Sequence, residues 1–539
     1  MTASVARGPT SPPLLEQTIG ENLRETARRH PGADAVISPQ EGVRWRYAEF
    51  DERVDRAASA LQAAGLAKGD RVGLWSPNRS EWVLLQYATA RAGVILVNVN
   101  PAYRTSELAF ALRQSGCRML VAAPSFKSSD YRAMTEEVRG DLPALEQVLF
   151  FDSPEWDAFL AAGTTWEDPG LDPGDAINIQ YTSGTTGSPK GATLSHRNIL
   201  NNGFFVGKGC RFTAQDRVCI PVPFYHCFGM VLGNLACTTH GAGIVVPAPA
   251  FEPRPVLEAV EGERCTALYG VPTMFIAELA HPDFAGFDLS SLRTGIMAGS
   301  PCPVEVMRQV IDRMHMADVT ICYGMTETSP VSTQTGPDDP LDKHVGTVGQ
   351  VHPHVEVCVV DPETGEVVPR GATGELCTRG YSVMLGYWDE PKRTAEAIDD
   401  EGWMHTGDLA TMDDEGYLNI VGRIKDMIIR GGENLYPREV EEYLYSHPDV
   451  ADVQVIGVPD VRYGEELMAW VIPREGADLD EDALRDFCRG HVARQKIPRY
   501  VKLVDAFPMT VTGKVQKFKM REEAIEELGL QEAASVTTA

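Results

Sequence analysis

Read from the amino end, the apolar and polar positions follow two alternating periods. Residues 47–64 place Phe50, Val54, Ala57, Leu61 and Ala64 at helical spacing, and Gly65 stands where such a helix would close. "GDRVGLW" (69–75) predicts a turn and then a strand. "SEWVLLQYATARAG" (80–93) predicts a helix with Ser80 as its N-cap and Gly93 at its end. "VILVNVN" (94–100) is β-branched and apolar, the pattern of a buried strand. A helix near 105–115 and a strand at 118–122 continue the series. Strands that alternate with helices in this way predict parallel sheets covered by helices, an α/β fold.

From about residue 355 the texture changes to short strands with turn signals such as "DPETGE" and "DDEGY". This predicts a β-rich subdomain over about 350–424, closing a large N-terminal domain of residues 15–424. After "GRIKDM" (422–427) the pattern is mixed: a helix from about 438, strands near 453–457 and 467–472, and a helix near 481–490. Residues 425–530 therefore read as a small α+β C-terminal domain. Residues 1–14 and 531–539 are small, polar and turn-rich, and are predicted to be disordered.

Of the 539 residues, 43% are apolar and 23% charged, enough for a large core. A net charge of −27 argues against a general nucleic-acid or anionic-membrane binder, which needs a dominant positive field. An acidic protein that binds phosphates must build local positive sites, so lysines in Gly-rich settings carry weight. The eleven cysteines are scattered without C-x-x-C spacing, which points to packing in a reducing cytoplasm. "MTASVARGPTSPP" has no apolar h-region, and no apolar run reaches the roughly 18–20 residues that span a bilayer. Oligomeric state is left open, with a homodimer as one option.

One stretch combines all the elements of an anion cradle: "YTSGTTGSPKG" (181–191). "DAINIQ" before it predicts a strand, and "SHRNILNN" after it begins with a good helix N-cap. A strand, a Gly-rich loop and a helix start let backbone N–H groups converge on phosphate oxygens. Gly184 and Gly187 allow close approach, Thr182, Ser183, Thr185 and Thr186 add hydroxyl donors, and Lys190 supplies a point charge. The pattern is not a Walker A loop, since Pro189 precedes the lysine. Taken alone, a solvated linker rich in turn formers remains the alternative.

Further stretches follow in order. They are "GIMAGSPCP" (295–303), "YGMTET" (323–328), "WMHTGDLA" (403–410), "GRIKDMIIRGGENLYPREVE" from 422, and "PMTVTGKVQK" near the end. With the cradle they resemble the motif series of the adenylate-forming superfamily, and specifically the acyl-CoA synthetase (AMP-binding) family. The resemblance runs from about residue 15 to 530. "FYHCFGM", "GVPTMF", "GYSVMLGYW" and "KDMIIRGGEN" narrow it to the medium-chain fatty acyl-CoA synthetase branch, the family member 2-like group.

The resemblance implies an enzyme with a mobile C-terminal domain that uses ATP, Mg²⁺ and CoA. It would adenylate a hydrophobic carboxylic acid and pass the acyl group to the CoA thiol. A natural-product enzyme with a specialised acid or a carrier-protein acceptor is the alternative. Each motif then has a task. Lys190 and the loop would hold the β- and γ-phosphates. Gly299, Ser300 and Pro301 would flank the adenine, and Tyr323, followed by Gly324, would offer it a stacking face. Thr326 would donate to the α-phosphate or the substrate carboxyl, and Glu327 would ligate Mg²⁺. Asp408 and Arg423 would take the ribose, and Lys514 would bridge carboxylate and α-phosphate during adenylation. Lys425 matches the hinge, where Asp is the commoner residue. Arg430, Gly431 and Gly432 match the CoA side.

The tail 491–520 carries Arg494, Lys496, Arg499, Lys502, Lys514, Lys517 and Lys519 against Asp505. Such an island would suit an anionic partner such as CoA, although a solvated face would carry the same charges. The segment 223–230 has no carboxylate to hold an ammonium, which argues against an α-amino acid substrate. His226 matches a position that gates the carboxyl in some relatives, and a hydrogen-bonded core histidine is the alternative. Phe228, Met230, Val271 and Met274 could line an acyl pocket, and buried core would explain them equally well.

Overall fold

The structure is a computed structural model and describes residues 2–182, 189–300, 302–431, 433–489, 491–510 and 514–534. The chain divides into two compact units. The larger holds Val5–Val357 and Cys377–His405; the smaller holds Met1–Ser4, Cys358–Leu376 and Thr406–Ala539.

Two large sheets build the larger unit. In the seven-stranded sheet, strands Arg71–Trp75, Ile95–Val99, Met119–Ala122, Gln147–Phe150 and Ala176–Thr182 run parallel. Strands Lys190–Ser195 and Gly386–Tyr387 extend it antiparallel. Ile95–Val99 is buried along its whole length, as its apolar run predicts. The nine-stranded sheet carries Thr294–Ala298 and Asp318–Gly324 as parallel neighbours, with Ala298 opposite Cys322. Helices Tyr47–Ala63, Ser80–Ala92 and Thr105–Ser115 lie where the helical spacing predicts them. Gly93 closes the second in the left-handed region, φ 73°. Its N-cap, however, is Arg79: Ser80 is already the first helical residue, and its N–H donates to the Glu41 carboxylate at 2.9 Å.

In the smaller unit, strands Val450–Asp460 and Gly464–Pro473 form a long antiparallel hairpin with two buried faces. Val453, Val455, Leu467, Ala469 and Val471 pack with Val440 and Leu444 of helix Pro437–Tyr445. The alternate residues Ile456, Val458, Met468 and Trp470 pack with Met520 and Ala524 of helix Lys517–Glu527. Period-two alternation thus serves two cores rather than one core and solvent.

Two expectations are corrected. Within residues 1–14, predicted to be disordered, Val5–Arg7 is a strand, and within the smaller unit Ser4 N–H donates to the Val368 carbonyl at 2.9 Å. Backbone pairing supplies there the stability that the side chains lack. In the tail, Gln531–Ala534 is a short helix, and 535–539 lie outside the described residues. The second correction concerns the cradle. A strand, Lys190–Ser195, intervenes before helix His196–Gly209, so the Gly-rich stretch joins two antiparallel strands with Thr182 opposite Lys190. The helix does start at Ser195, whose side chain accepts the Asn198 N–H. Among the described residues no helix is long and apolar enough to cross a membrane.

Candidate active site

Strand register decides what meets at the ends of the cradle. Lys190 lies directly across from Thr182, and Ala192, two residues further on, lies across from Tyr387 on the other side. Residues two apart share a face, so Thr182, Lys190 and Tyr387 project to one side of the sheet. Lys190 Nζ sits 4.8 Å from the centre of the Tyr387 ring.

Glu327 meets the same group from the turn Thr326–Thr328, which follows the strand Asp318–Gly324. The Tyr387 hydroxyl donates to Glu327 Oε1 at 2.8 Å, and the Thr182 hydroxyl approaches the same oxygen at 3.4 Å. Glu327 Oε2 has no hydrogen-bond partner among the described residues. Burial, followed by the Glu327 carboxylate, pushes the Tyr387 phenol well above its ordinary range, so the hydroxyl keeps its proton. Both residues are buried, and the Met384 N–H donates to the Glu327 carbonyl at 2.9 Å. A buried carboxylate with one oxygen held and the other uncommitted suits a hard divalent cation such as Mg²⁺.

The parallel strand ends bring further motif residues together. Gly299 and Ser300 follow Ala298, and Tyr323 follows its neighbour Cys322. Gly324 has φ 158°, and a Cβ there would stand 1.8 Å from the Pro330 carbonyl oxygen, so only glycine fits. Buried Thr326 contacts Cys227 Sγ through its hydroxyl at 3.7 Å, and Cys227 Sγ lies 3.7 Å from His226 Nδ1. His226 Nδ1 accepts the Phe228 N–H at 3.1 Å, which leaves Nε2 to carry the proton of the neutral ring. Phe228 and Met230 belong to the π-helix Phe228–Leu235, while Val271 and Met274 lie at the start of helix Pro272–Leu279. All four are buried. Met230 Sδ accepts amide donors from Asn98 and Gln180, each at 3.1 Å, a buried polar contact that apolar patterning gave no sign of.

In the smaller unit Asp408 and Arg423 are paired across strands Met404–Met412 and Leu418–Arg423, Nε to Oδ1 at 3.2 Å. Lys425 is exposed in the turn Ile424–Asp426. Lys514 is paired with Thr510: its N–H donates to the Thr510 hydroxyl at 3.0 Å, and its carbonyl accepts the Thr510 N–H at 2.8 Å. Arg430 donates twice to Glu466 and stacks on Tyr463, 4.4 Å from the ring centre. Gly431 makes the turn between strands Ile428–Arg430 and Glu433–Leu435 with φ 61°. Ser183, Gly184, Thr185, Thr186, Gly187, Pro301 and Gly432 lie outside the described residues.

Four of the seven basic residues of the tail are paired with carboxylates. Lys496 pairs with Glu439. Arg499 pairs with Asp460 at 2.8 Å, Lys502 with Glu523 and Glu527 at 2.7 Å each, and Lys517 with Glu441 at 2.6 Å. The partners are supplied by other elements, and the charge left to attract an anion is correspondingly smaller. All eleven cysteines are free and buried, as the packing assignment expects.

Sequence profiles of two families match: AMP-binding enzyme over residues 23–388 and AMP-binding enzyme C-terminal domain over residues 439–514. YngI of Bacillus subtilis (strain 168) is 48% identical over 96% of this chain and 99% of its own. The mitochondrial medium-chain acyl-CoA ligase ACSF2 of Danio rerio is 45% identical over 98% of this chain and 92% of its own. Among solved structures, ATP-bound MatB from Rhodopseudomonas palustris superposes with a TM-score of 0.85 at 31% identity, over 94% of this chain and 99% of that one. The anthranilate CoA ligase AuaEII with anthranoyl-AMP gives a TM-score of 0.88 at 26% identity, over 96% and 99%.

Proposed function

This chain belongs to the AMP-binding enzyme family and is an ATP-dependent acyl-CoA ligase, and we propose that its acid is a medium-chain fatty acid or one of similar hydrophobicity. The observation that carries the residue assignments is the convergence of Thr182, Lys190 and Glu327 on one sheet face at the ends of the Gly-rich stretch.

The chemistry runs in two steps. A carboxylate is a poor electrophile, so one of its oxygens first attacks the α-phosphorus of ATP. The bond to the bridging oxygen of the β-phosphate breaks, and pyrophosphate leaves. The CoA sulfur then attacks the acyl carbon, the thiol proton is lost, and AMP leaves. Repulsion between the two anions of the first step is the barrier that positioned cations lower, by several kcal/mol in this class of chemistry.

We assign Lys190, with residues 183–187, to the β- and γ-phosphates. Thr326 is assigned to the α-phosphate or carboxylate, and Tyr323, Gly324, Gly299, Ser300 and Pro301 to the adenine. Glu327 would hold Mg²⁺, which when bound would neutralise phosphate oxygens. Asp408 and Arg423 meet the ribose as a pair rather than singly. Lys514 completes adenylation, and rotation about Lys425, between a domain of residues 15–424 and one of 425–530, would then exchange it for the CoA side at Arg430, Gly431 and Gly432. His226 gates the carboxyl, and Phe228, Met230, Val271 and Met274 line the acyl pocket. Eleven buried free cysteines suit a reducing compartment, and we assign the enzyme to the cytoplasm.

Pyrophosphate release measured across short, medium, long and aryl acids, with and without CoA, tests this reading. Medium-chain acids should give the highest kcat/KM, with turnover dependent on CoA. A preference for aryl acids, or full turnover without CoA, would replace it.

A further inference from the structure

We propose that Tyr387 is a positioning residue for the nucleotide–metal site, holding Glu327 through its hydroxyl and Lys190 through its ring. The proposal rests on the assignment of Glu327 and Lys190 made above.

The argument starts from the strand Gly386–Tyr387. It adds to the edge of Lys190–Ser195, with Tyr387 opposite Ala192 and Gly386 opposite Thr193. The strand is anchored at both ends: the Leu385 N–H donates to the Thr193 carbonyl at 2.9 Å, and the Trp388 N–H to the Gly191 carbonyl at 2.8 Å. The Tyr387 N–H is itself taken by the Thr394 hydroxyl at 2.9 Å. The ring therefore has little freedom, and its two functional surfaces are presented in a fixed geometry. Its hydroxyl donates to Glu327 Oε1 at 2.8 Å, and its face lies 4.8 Å from Lys190 Nζ.

This division of labour has consequences for both ligands. A carboxylate free to rotate presents either oxygen in many orientations. One whose Oε1 is held by a buried donor presents Oε2 in one. Lys190 has four rotatable bonds, and a ring face under its ammonium restricts them before the triphosphate arrives. Tyr387 lies sixty positions from Glu327 in the chain and outside the motifs that the nucleotide reading uses. Nothing in "GYW" as a sequence marks it as more than a core aromatic.

The test separates the two contacts. Tyr387→Phe keeps the ring and removes the hydroxyl. Tyr387→Leu removes both. Acyl-adenylate formation is followed by pyrophosphate release while Mg²⁺ and ATP are titrated separately, and thermal unfolding is recorded for each variant. Tyr387→Phe should raise the Mg²⁺ concentration for half-maximal rate by about tenfold, the size expected for loss of a residue that orients a metal ligand. Its KM for ATP at saturating Mg²⁺ should stay near that of the parent. Tyr387→Leu should raise KM for ATP as well. Since phenylalanine preserves packing, a Tyr387→Phe protein that unfolds at the parental temperature with unchanged Mg²⁺ dependence overturns the proposal. Glu327→Gln tells the two failures apart. If it shifts the Mg²⁺ dependence while Tyr387→Phe does not, the role of Tyr387 is wrong and the metal assignment stands. If Glu327→Gln leaves that dependence unchanged, the metal assignment itself fails.

Discussion

Arg430 and Glu466 form a two-pronged ion pair, Nε to Oε2 at 2.7 Å and Nη2 to Oε1 at 2.8 Å, with the carboxylate side chain 3% exposed. Removing the arginine leaves the buried carboxylate to its weaker ion pair with Arg499, 3.6 Å away. Arg430→Ala should therefore cost stability by about 2 kcal/mol, less than a fully buried pair because the arginine side chain is itself 22% exposed. Denaturant unfolding of Arg430→Ala and of Arg430→Met/Glu466→Gln checks this, and the double variant should recover most of the loss. A weak CoA response in Arg430→Ala is informative only beside that measurement.

Lys502 lies between Glu523 and Glu527 and 4.0 Å from the centre of the Trp470 ring. These contacts occupy the charge locally. Lys502→Met should leave KM for CoA within about twofold and change stability by less than about 1 kcal/mol. A large rise in KM for CoA, without unfolding, would return the basic tail to the CoA site.

Glu278, on helix Pro272–Leu279, is 1% exposed, and neither carboxylate oxygen has a hydrogen-bond partner among the described residues. Burial alone pushes its pKa well above the usual carboxylate range. The folded state therefore holds the proton more tightly than the unfolded chain, whose value is near 4.5. Stability from this group is full below that pH and falls as pH rises. Glu278→Gln should remove the dependence, so its advantage over the parent should grow by up to about 1.4 kcal/mol per pH unit above the unfolded value. Unfolding curves at about pH 5.5 and about pH 8 test the sign, and an equal difference at both rejects it.

The role proposed for Lys514 predicts different effects on the two half-reactions. Lys514→Ala should slow adenylation by about a hundredfold or more, the scale of losing one charge stabiliser in the transition state. Thioester formation from supplied acyl-adenylate and CoA should persist. Pyrophosphate release and acyl-CoA formation, assayed apart, distinguish the steps. Normal adenylation by this variant would assign the bridging role elsewhere.

The sequence by itself determined many of the elements and the order of the motif residues. Helix Tyr47–Ala63, strand Ile95–Val99 and the capped start at Ser195 follow from periodicity and cap chemistry, which act within a few residues along the chain. Tertiary structure decided which side chains meet. The strand interposed after the Gly-rich stretch, the Tyr387–Glu327 hydrogen bond and the carboxylates that pair with four basic residues of the tail all depend on partners distant in sequence. Thr182 and Glu327, for instance, lie 145 positions apart. Cross-strand register brought Thr182, Lys190 and Tyr387 to one face, and a one-residue slip would have turned Tyr387 to the other. Local pattern sets the period of a strand. Only its pairing sets what stands beside each residue, and the nucleotide-site assignments rest on that pairing.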